Sequence, residues 1–291
     1  MISPGYAVQL KIPLVLGVSG HLDLDPQVVL AVENCLRLTL KKFNDQHPHT
    51  PLILLSPLAK GADQVVAEVA DEEQIGAKLF VVLPMPQQMY LADFDKPELV
   101  DRFYSCFKQR HWLLELPLLA SEEKVAIPGP ERDQQYRAAG QFIVRHCQIL
   151  IAIWDGEDER GMGGTAEVVT EQLQGLPASK QIIEPPEGFP VWRIPANRAG
   201  EPQLAESSDK PIYLYPTIFE KNEKKARTYF SRIFARIETF NRCVEAYGKR
   251  LFRYRLQDIK GIDGVQQDHQ LALASEQKLI LERYRAAAHQ R

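Results

Sequence analysis

The sequence lacks the features that would place this chain in a membrane or outside the cell. Its four cysteines are scattered and form no CxxC pair, so neither a zinc site nor a disulfide framework is indicated. The N-terminal segment has no basic stretch followed by an apolar run, and no apolar run approaches the ~20 residues that span a bilayer. We therefore expect a soluble, cytoplasmic protein with no membrane span and no metal site.

The sequence also lacks an excess of charge of either sign. It contains 35 lysines and arginines and 38 aspartates and glutamates, so its formal net charge is −3. Such a balance gives no general electrostatic attraction to a phosphate backbone, so we expect no nucleic acid polymer as a partner. Small anions remain compatible with it, because local backbone dipoles bind them without net positive charge.

Short apolar segments alternate with amphipathic ones through the first two thirds of the chain. Strands are predicted at 12–18, 51–55, 78–83 and 148–153, and further strands at about 112–117 and 189–194. Helices are predicted to follow Pro26, Asp63 and Thr165 and to span about 97–109 and 132–146. Strands that are apolar throughout, separated by amphipathic helices, indicate a mainly parallel sheet covered on both faces. We predict an α/β, Rossmann-like domain over residues 1–215, with its core at about 12–175, followed by a helical region over 216–291.

The segment from Phe219 to Tyr247 is predicted to form one long amphipathic helix. Its apolar positions recur at spacings of three and four, and they are Ala226, Phe230, Ile233, Ile237, Phe240 and Val244. A stripe this apolar must be covered, so we expect it to pack on the α/β domain or on a second copy of the chain. A charged helix is predicted at about 268–288, and such an ending is also compatible with a longer parent protein that carries an effector.

A glycine-containing turn follows each of the first two predicted strands. The first has Gly17, Ser19, Gly20 and His21, and its glycines would let a phosphate approach the backbone, although a plain tight turn has the same pattern. It lacks the GxGxxG spacing of a dinucleotide dehydrogenase.

The second turn, SPLAKGAD at 56–63, offers Ser56 and Gly61 as ligand candidates. Lys60 fits either a surface charge or a phosphate contact. Asp63 is interpreted as a helix-cap residue.

The third turn is the most informative one. Asp155 and Gly156 end a strand, and the string GMGGTAE at 161–167 then leads into a predicted helix. Glycines before a helix start, with a hydroxyl in its first turn, favour an anion site, although a flexible loop with a capping threonine looks the same. All three turns lie at the carboxyl edge of the sheet, where ligands of such folds bind.

These motifs, in this order, resemble the SLOG superfamily, which groups Smf/DprA-like and LOG Rossmannoid proteins. The resemblance is carried by GVSGHLDL, LLSPLAKGADQVVAEVA, VVLPMPQQMYLADF, ILIAIWDG and GGTAEVV and covers about residues 12–175. It implies a module of bacterial signalling or defence that binds a nucleotide or a nucleotide-derived ligand such as ADP-ribose.

The resemblance also implies which residues hold that ligand. The phosphate and ribose side would comprise Gly17, Ser19, Gly20, Gly61, Asp155, Gly163, Gly164 and Thr165. Further candidates for nucleotide binding are His21, Ser56, Gly156 and Glu167. Tyr90, Asp93 and Phe94 would flank the base or the ribose, with Tyr90 and Phe94 equally interpretable as core residues. No cofactor beyond the nucleotide is implied.

The enzymatic LOG branch cleaves the N-glycosidic bond of nucleoside monophosphates with a PGGxGTxxE motif and an arginine on the preceding helix. Aligned on Gly164 and Thr165, the motif's first proline is Arg160 and its glutamate is Val168. Glu167 lies one residue early, which turns it ~100° away on a helix. No arginine falls at the family spacing, so no catalytic residue is assigned.

Three hypotheses follow from the sequence. The favoured one is a ligand-sensing domain whose partners are a small nucleotide, a second copy of the chain, or a fused or adjacent effector. The second is a LOG-type phosphoribohydrolase. The third is an interaction module with a vestigial pocket.

Overall fold

The computed structural model describes residues 11–157, 162–175, 188–202, 204, 206–219 and 222–259, with side chains described as far as Ala246. The chain divides into two compact units, one of residues 12–239 and one that joins residues 1–11 to 240–291. The charged helix predicted at 268–288 and the motif position Arg160 lie outside the described residues.

Seven strands form one sheet in the first of these units. They are β1 (Leu14–Gly20), β2 (Leu52–Ser56), β3 (Lys78–Leu83), β4 (Trp112–Glu115), β5 (Ile149–Trp154), β6 (Val191–Pro195) and β7 (Ile212–Leu214). Their order is β4-β3-β2-β1-β5-β6-β7, with all neighbours parallel except β6 and β7. The strand order reverses between β1 and β5, which is the switch point of a Rossmann-like fold. The predicted fold class is therefore confirmed.

Helices connect and cover these strands. They are α1 (Pro26–Gln46), α2 (Ala62–Asp71), α3 (Gln87–Leu91), α4 (Pro97–Lys108), α5 (Glu122–Val125), α6 (Pro130–His146), α7 (Thr165–Gln174) and α8 (Glu223–Ile259). None of the helices in the described part of the chain has the length and apolar character needed to cross a bilayer.

The strands are apolar throughout because the sheet is buried on both faces. Successive side chains of a strand point to opposite faces. In β5, Ile149, Ile151 and Ile153 join one apolar cluster, while Leu150 and Ala152 join another, on the side of α6 and α7. All five are at most 1% exposed. This burial explains why the strands occur in the sequence as continuous apolar runs.

The long helix α8 begins four residues later than predicted and continues beyond Tyr247. Within the unit of residues 12–239, Ala226, Phe230 and Phe234 are buried in the main apolar cluster. The ring of Phe234 meets Phe43 of α1 edge-on, 5.8 Å between centroids. Packing of the apolar stripe on the α/β domain is therefore confirmed for this part of the helix, and Phe234 is a buried residue that the periodicity did not single out.

Candidate functional site

A cavity of about 480 Å³ lies at the carboxyl edge of the sheet, where the strand order reverses between β1 and β5. Its size is within the range typical of small-molecule sites. Nine of the predicted site residues line it: Ser19, Gly20, His21, Tyr90, Asp93, Phe94, Gly163, Gly164 and Thr165. The fold therefore brings the first and third glycine-containing turns together at one cavity.

One end of the cavity combines two hydroxyl groups with a helix N-terminus. The hydroxyls of Ser19, from β1, and Thr165, from α7, are hydrogen-bonded at 3.3 Å. Helix α7 begins at Thr165 with Gly164 as its N-cap, and no side chain caps it. The first N–H groups of a helix have no partner within the helix and carry the positive end of its dipole. This end of the cavity is suited to an anion.

Glu167 links the loop before α7 to helix α6 through its two carboxylate oxygens. Its Oε2 accepts a hydrogen bond from the backbone N–H of Gly163 at 2.6 Å, and its Oε1 lies 2.5 Å from Nε of Arg137 on α6. Gly163 has a φ of 76°, and an added Cβ would lie 2.9 Å from the backbone nitrogen of Arg137. Glu167 does not line the cavity, in contrast to its predicted place in the site.

Val168 occupies the position of the LOG glutamate and is an apolar part of the cavity wall. It is 4% exposed, and an added Cβ on Gly140 of α6 would lie 2.9 Å from its Cγ2. The two helices are thus in close contact at this point, and the wall there offers a methyl group where the hydrolases have a carboxylate.

Asp63 also lines the cavity, although it was interpreted as a helix cap. The N-cap of α2 is Gly61, so Asp63 lies inside the helix, 3% exposed. Ser56, itself buried and outside the cavity lining, donates a hydrogen bond to Asp63 Oδ2 at 3.2 Å. Burial raises the pKa of Asp63 to about 7, against the opposing effect of hydrogen bonds from Ser56 and the backbone of Ala59.

Gly61 has a conformational role at the start of α2. Its φ is 82°, and an added Cβ would lie 2.4 Å from the carbonyl oxygen of His21. That oxygen accepts a hydrogen bond from Ala62 N at 3.0 Å, so α2 begins directly against the end of β1. Gly61 positions the site without lining the cavity.

His21, Asp155 and Arg198 form a polar cluster on another side of the cavity. Nε2 of His21 lies 3.0 Å from the backbone nitrogen of Asp155 and 3.1 Å from its carboxylate oxygen Oδ2. Burial lowers the pKa of His21, although the nearby Asp155 acts in the opposite direction. Asp155 Oδ2 lies 3.6 Å from Nε of Arg198, which lines the cavity, whereas Asp155 itself does not.

Tyr90, Asp93 and Phe94 lie on the side of the cavity formed by α3 and the residues after it. Asp93 Oδ2 accepts hydrogen bonds from Nη2 of Arg132 at 2.7 Å and from the hydroxyl of Tyr136. Tyr90 is 2% exposed and meets Phe94 edge-on, 5.4 Å between ring centroids. Tyr90 is thus both a core residue and part of the cavity wall.

Two of the predicted glycines do not line the cavity and pack closely against other protein groups. An added Cβ on Gly17 would lie 2.6 Å from Ile143 Cγ2, so this glycine allows α6 to approach β1. Gly156 has a φ of 92°, and an added Cβ would lie 2.4 Å from Nη2 of Arg193.

The sequence did not single out Tyr136 or Arg198, which both line the cavity. Arg198 reaches it because the segment after β6 bridges to the loop before α1, where Leu24 pairs with Arg198 and Asp25 N donates to Asn197 O at 3.1 Å. No local pattern in an irregular segment signals such a contact. Within the described residues, no group of three His, Cys, Asp or Glu side chains is arranged to hold a metal ion.

Comparisons with known proteins gave matches only among solved structures. No protein-family model and no curated protein matches the chain. The chain is similar to DNA processing protein A (DprA) from Streptococcus pneumoniae, with 20% identity over 64% of this chain and 51% of that one and a TM-score of 0.37. The chain therefore spans about half the length of that protein.

A second similar structure is DNA processing protein A from Helicobacter pylori, with 15% identity over 77% of each chain and a TM-score of 0.38. Both similarities concern the fold.

The expectation that no nucleic acid polymer is a partner of this protein requires correction. The Helicobacter pylori protein is described by its single-stranded DNA binding mode, so nucleic acid polymers are not excluded as partners for a chain similar to it. The expectation drawn from the net charge of −3 was wrong, because net charge does not report the local arrangement of donors that a nucleic acid strand would meet.

Proposed function

We propose that this protein binds a nucleotide or a nucleotide-derived ligand, such as ADP-ribose, in the cavity at the carboxyl edge of β1 and β5. The observation that carries this proposal is the meeting of Ser19, Thr165 and the uncapped N-terminus of α7 at one end of the cavity. In Rossmann-like folds the switch point is where such ligands bind.

The phosphate groups would lie at the start of α7. The hydroxyls of Ser19 and Thr165 would donate hydrogen bonds, and the first backbone N–H groups of the helix would supply oriented dipoles. Gly164 supports this assignment because its missing side chain leaves the N-cap open to an approaching anion.

The base and ribose would lie toward α3. Oδ2 of Asp93 accepts hydrogen bonds from Arg132 and Tyr136. Because the side chain is 39% exposed, its carboxylate can accept a further hydrogen bond from a ribose hydroxyl. Phe94 and the ring of Tyr136 provide apolar surface for a base beside it.

We favour binding over hydrolysis because the cavity wall has Val168 where a LOG-type hydrolase has its glutamate. Cleavage of an N-glycosidic bond passes through an oxocarbenium-like state that needs a placed carboxylate. The carboxylate of the neighbouring Glu167 accepts a hydrogen bond from Gly163 N and forms an ion pair with Arg137 instead of lining the cavity.

The test is calorimetric titration of the full chain with ADP-ribose, AMP and NAD, together with thermal unfolding at millimolar ligand. A ligand present at about 100 times its Kd should stabilise the folded state by ~2.7 kcal/mol. Gly164→Val and Thr165→Val should weaken binding with little change in the melting temperature of the free protein. Thr170→Val makes the same substitution on the exposed side of α7 and should bind as the parent does.

Three outcomes would count against the proposal. If none of the three nucleotides binds or shifts the melting temperature, nucleotide binding is excluded for them. If Gly164→Val binds equally well, the phosphate lies elsewhere. If adenine is released from AMP and this release disappears in Glu167→Gln, the protein is a hydrolase.

A short single-stranded oligonucleotide belongs in the same titration, because the similar protein from Helicobacter pylori is described by its single-stranded DNA binding. Competition between the oligonucleotide and ADP-ribose would place both in this cavity. Oligonucleotide binding that ADP-ribose does not displace would place the strand on another surface.

A further inference from the structure

The carboxyl group of Asp63 has an environment unlike that of Asp93, the other carboxyl group in the lining of the cavity. Asp93 faces a guanidinium, with Nη2 of Arg132 2.7 Å from its Oδ2, and is 39% exposed. Asp63 is 3% exposed and has no ion-pair partner among the described residues. A buried carboxylate without a cation is costly, so burial favours the neutral acid.

The immediate partners of Asp63 are hydrogen-bond donors that carry no charge. Ser56 donates to Oδ2 at 3.2 Å, and the hydroxyl oxygen of Ser56 is itself fixed by a hydrogen bond from Leu58 N at 2.9 Å. The backbone of Ala59 supplies a further hydrogen bond. The carboxyl group is therefore held in a defined position at the cavity wall.

This inference rests on the proposed function and adds a residue to it. We propose that Asp63 binds the nucleotide as the neutral carboxylic acid and donates a hydrogen bond to an acceptor atom of the ligand. An ionised carboxylate accepts hydrogen bonds only and would repel an anionic ligand, whereas the neutral acid can donate one. Asp63 would thus select ligands that present an acceptor, such as a phosphate oxygen or a ring nitrogen.

Other titratable groups face the same cavity from each surrounding element. They are His21 directly after β1, Lys60 from the loop before α2, Tyr90 from α3, Asp93 from the following turn, Tyr136 from α6 and Arg198 from the segment after β6. Lys60 is paired with Asp95 at 2.9 Å, and burial raises the pKa of both tyrosines. Burial moves the pKa of His21 downward, away from the range in which Asp63 titrates.

Proton uptake on binding is the consequence that can be measured. Asp63 has a pKa of about 7 in the free protein, and a ligand that requires the neutral acid binds more weakly as the pH rises past that value. For one such group, the apparent Kd should increase roughly 90-fold between pH 6 and pH 9. At pH 8, binding should take up close to one proton for each ligand.

The experiment is calorimetric titration of the full chain with ADP-ribose between pH 6 and pH 9. This probe is chosen because its pyrophosphate has no group that titrates in that range, whereas the phosphate of AMP does. Repeating the titration at pH 8 in two buffers of different ionisation enthalpy gives the number of protons taken up by the unmodified protein. This reading does not depend on any variant folding correctly.

Two variants assign the proton to a residue. Asp63→Asn keeps a donor and has no charge, so its apparent Kd should be nearly constant with pH. Asp71→Asn makes the same change at the exposed end of the same helix and should keep the pH dependence of the parent.

The outcomes separate this inference from the proposed function. If ADP-ribose binds with equal affinity at pH 6 and pH 9 and takes up no proton, nucleotide binding stands and the role of Asp63 is refuted. If the pH dependence persists in Asp63→Asn, another group carries it and the assignment is wrong. If ADP-ribose does not bind at any pH, both proposals fail for this ligand.

Discussion

Replacing Asp63 by asparagine should make the free protein more stable at neutral and alkaline pH. The substitution keeps the size of the side chain and removes a charge that has no cationic partner among the described residues. Ser56 can still donate its hydrogen bond, now to the amide oxygen. The change therefore isolates the free energy needed to ionise a carboxyl group at a buried position.

The magnitude follows from the pKa of Asp63 in the folded and unfolded chain. Its pKa is raised from an ordinary value of 3.8 to about 7, so between these values the folded protein holds a proton that the unfolded chain has lost. The free energy of unfolding of the parent therefore falls as the pH rises through this window and is constant above it. One pKa unit corresponds to about 1.36 kcal/mol, so the whole loss is about 4 kcal/mol.

Urea unfolding between pH 4 and pH 9, followed by tryptophan fluorescence, measures this effect. Trp112, Trp154 and Trp192 all belong to the unit of residues 12–239, so the signal reports the unit that contains Asp63. The difference between Asp63→Asn and the parent should grow by about 4 kcal/mol from pH 4 to pH 8. Asp71→Asn, exposed on the same helix, should follow the parent. Parallel pH profiles for Asp63→Asn and the parent would refute the reasoning.

Two further predictions concern the framework of the site. Gly61→Ala should destabilise the protein by ~1–3 kcal/mol or more, because its φ is 82° and its Cβ would lie 2.4 Å from a carbonyl oxygen. Gly200→Ala, at a φ of 79° with open space around it, is the control and should have a smaller effect in thermal unfolding. Phe230→Ala should cost about 3–5 kcal/mol in urea unfolding, since Phe230 is 4% exposed in the main core. Tyr229→Ala, at a position that is 43% exposed, should cost much less, and equal losses for the two would contradict the burial of the stripe.

The sequence determined the sheet and most of the helices. Runs such as 148–153 and the period of 219–247 are local properties, and the burial of β5 on both faces agrees with the first of them. In α8 the period is matched by the burial of Ala226 and Phe230, whereas Phe240 is 46% exposed. The short elements β7, α3 and α5 were not predicted, because three to five residues carry too little periodicity to be recognised.

The sequence also located the edge of the sheet where the site lies, because parallel strands place all their carboxyl ends together. Ser19, Gly164 and Thr165, which the family resemblance assigned to the ligand, line the cavity. Their proposed contact with a phosphate stays a prediction.

Only the tertiary structure decided which residues of each turn and helix line the cavity, how exposed they are and which charge state they favour. Glu167 and Val168 are adjacent in the chain, but α7 turns one toward Arg137 and the other into the cavity wall. Arg198 comes to the site through contacts with residues more than 170 positions away. Asp63 was interpreted as a helix cap, and its pKa is raised by burial, against the opposing effect of the hydrogen bond from Ser56. Exposure and charge state depend on the atoms that pack around a side chain, and these come from distant parts of the chain.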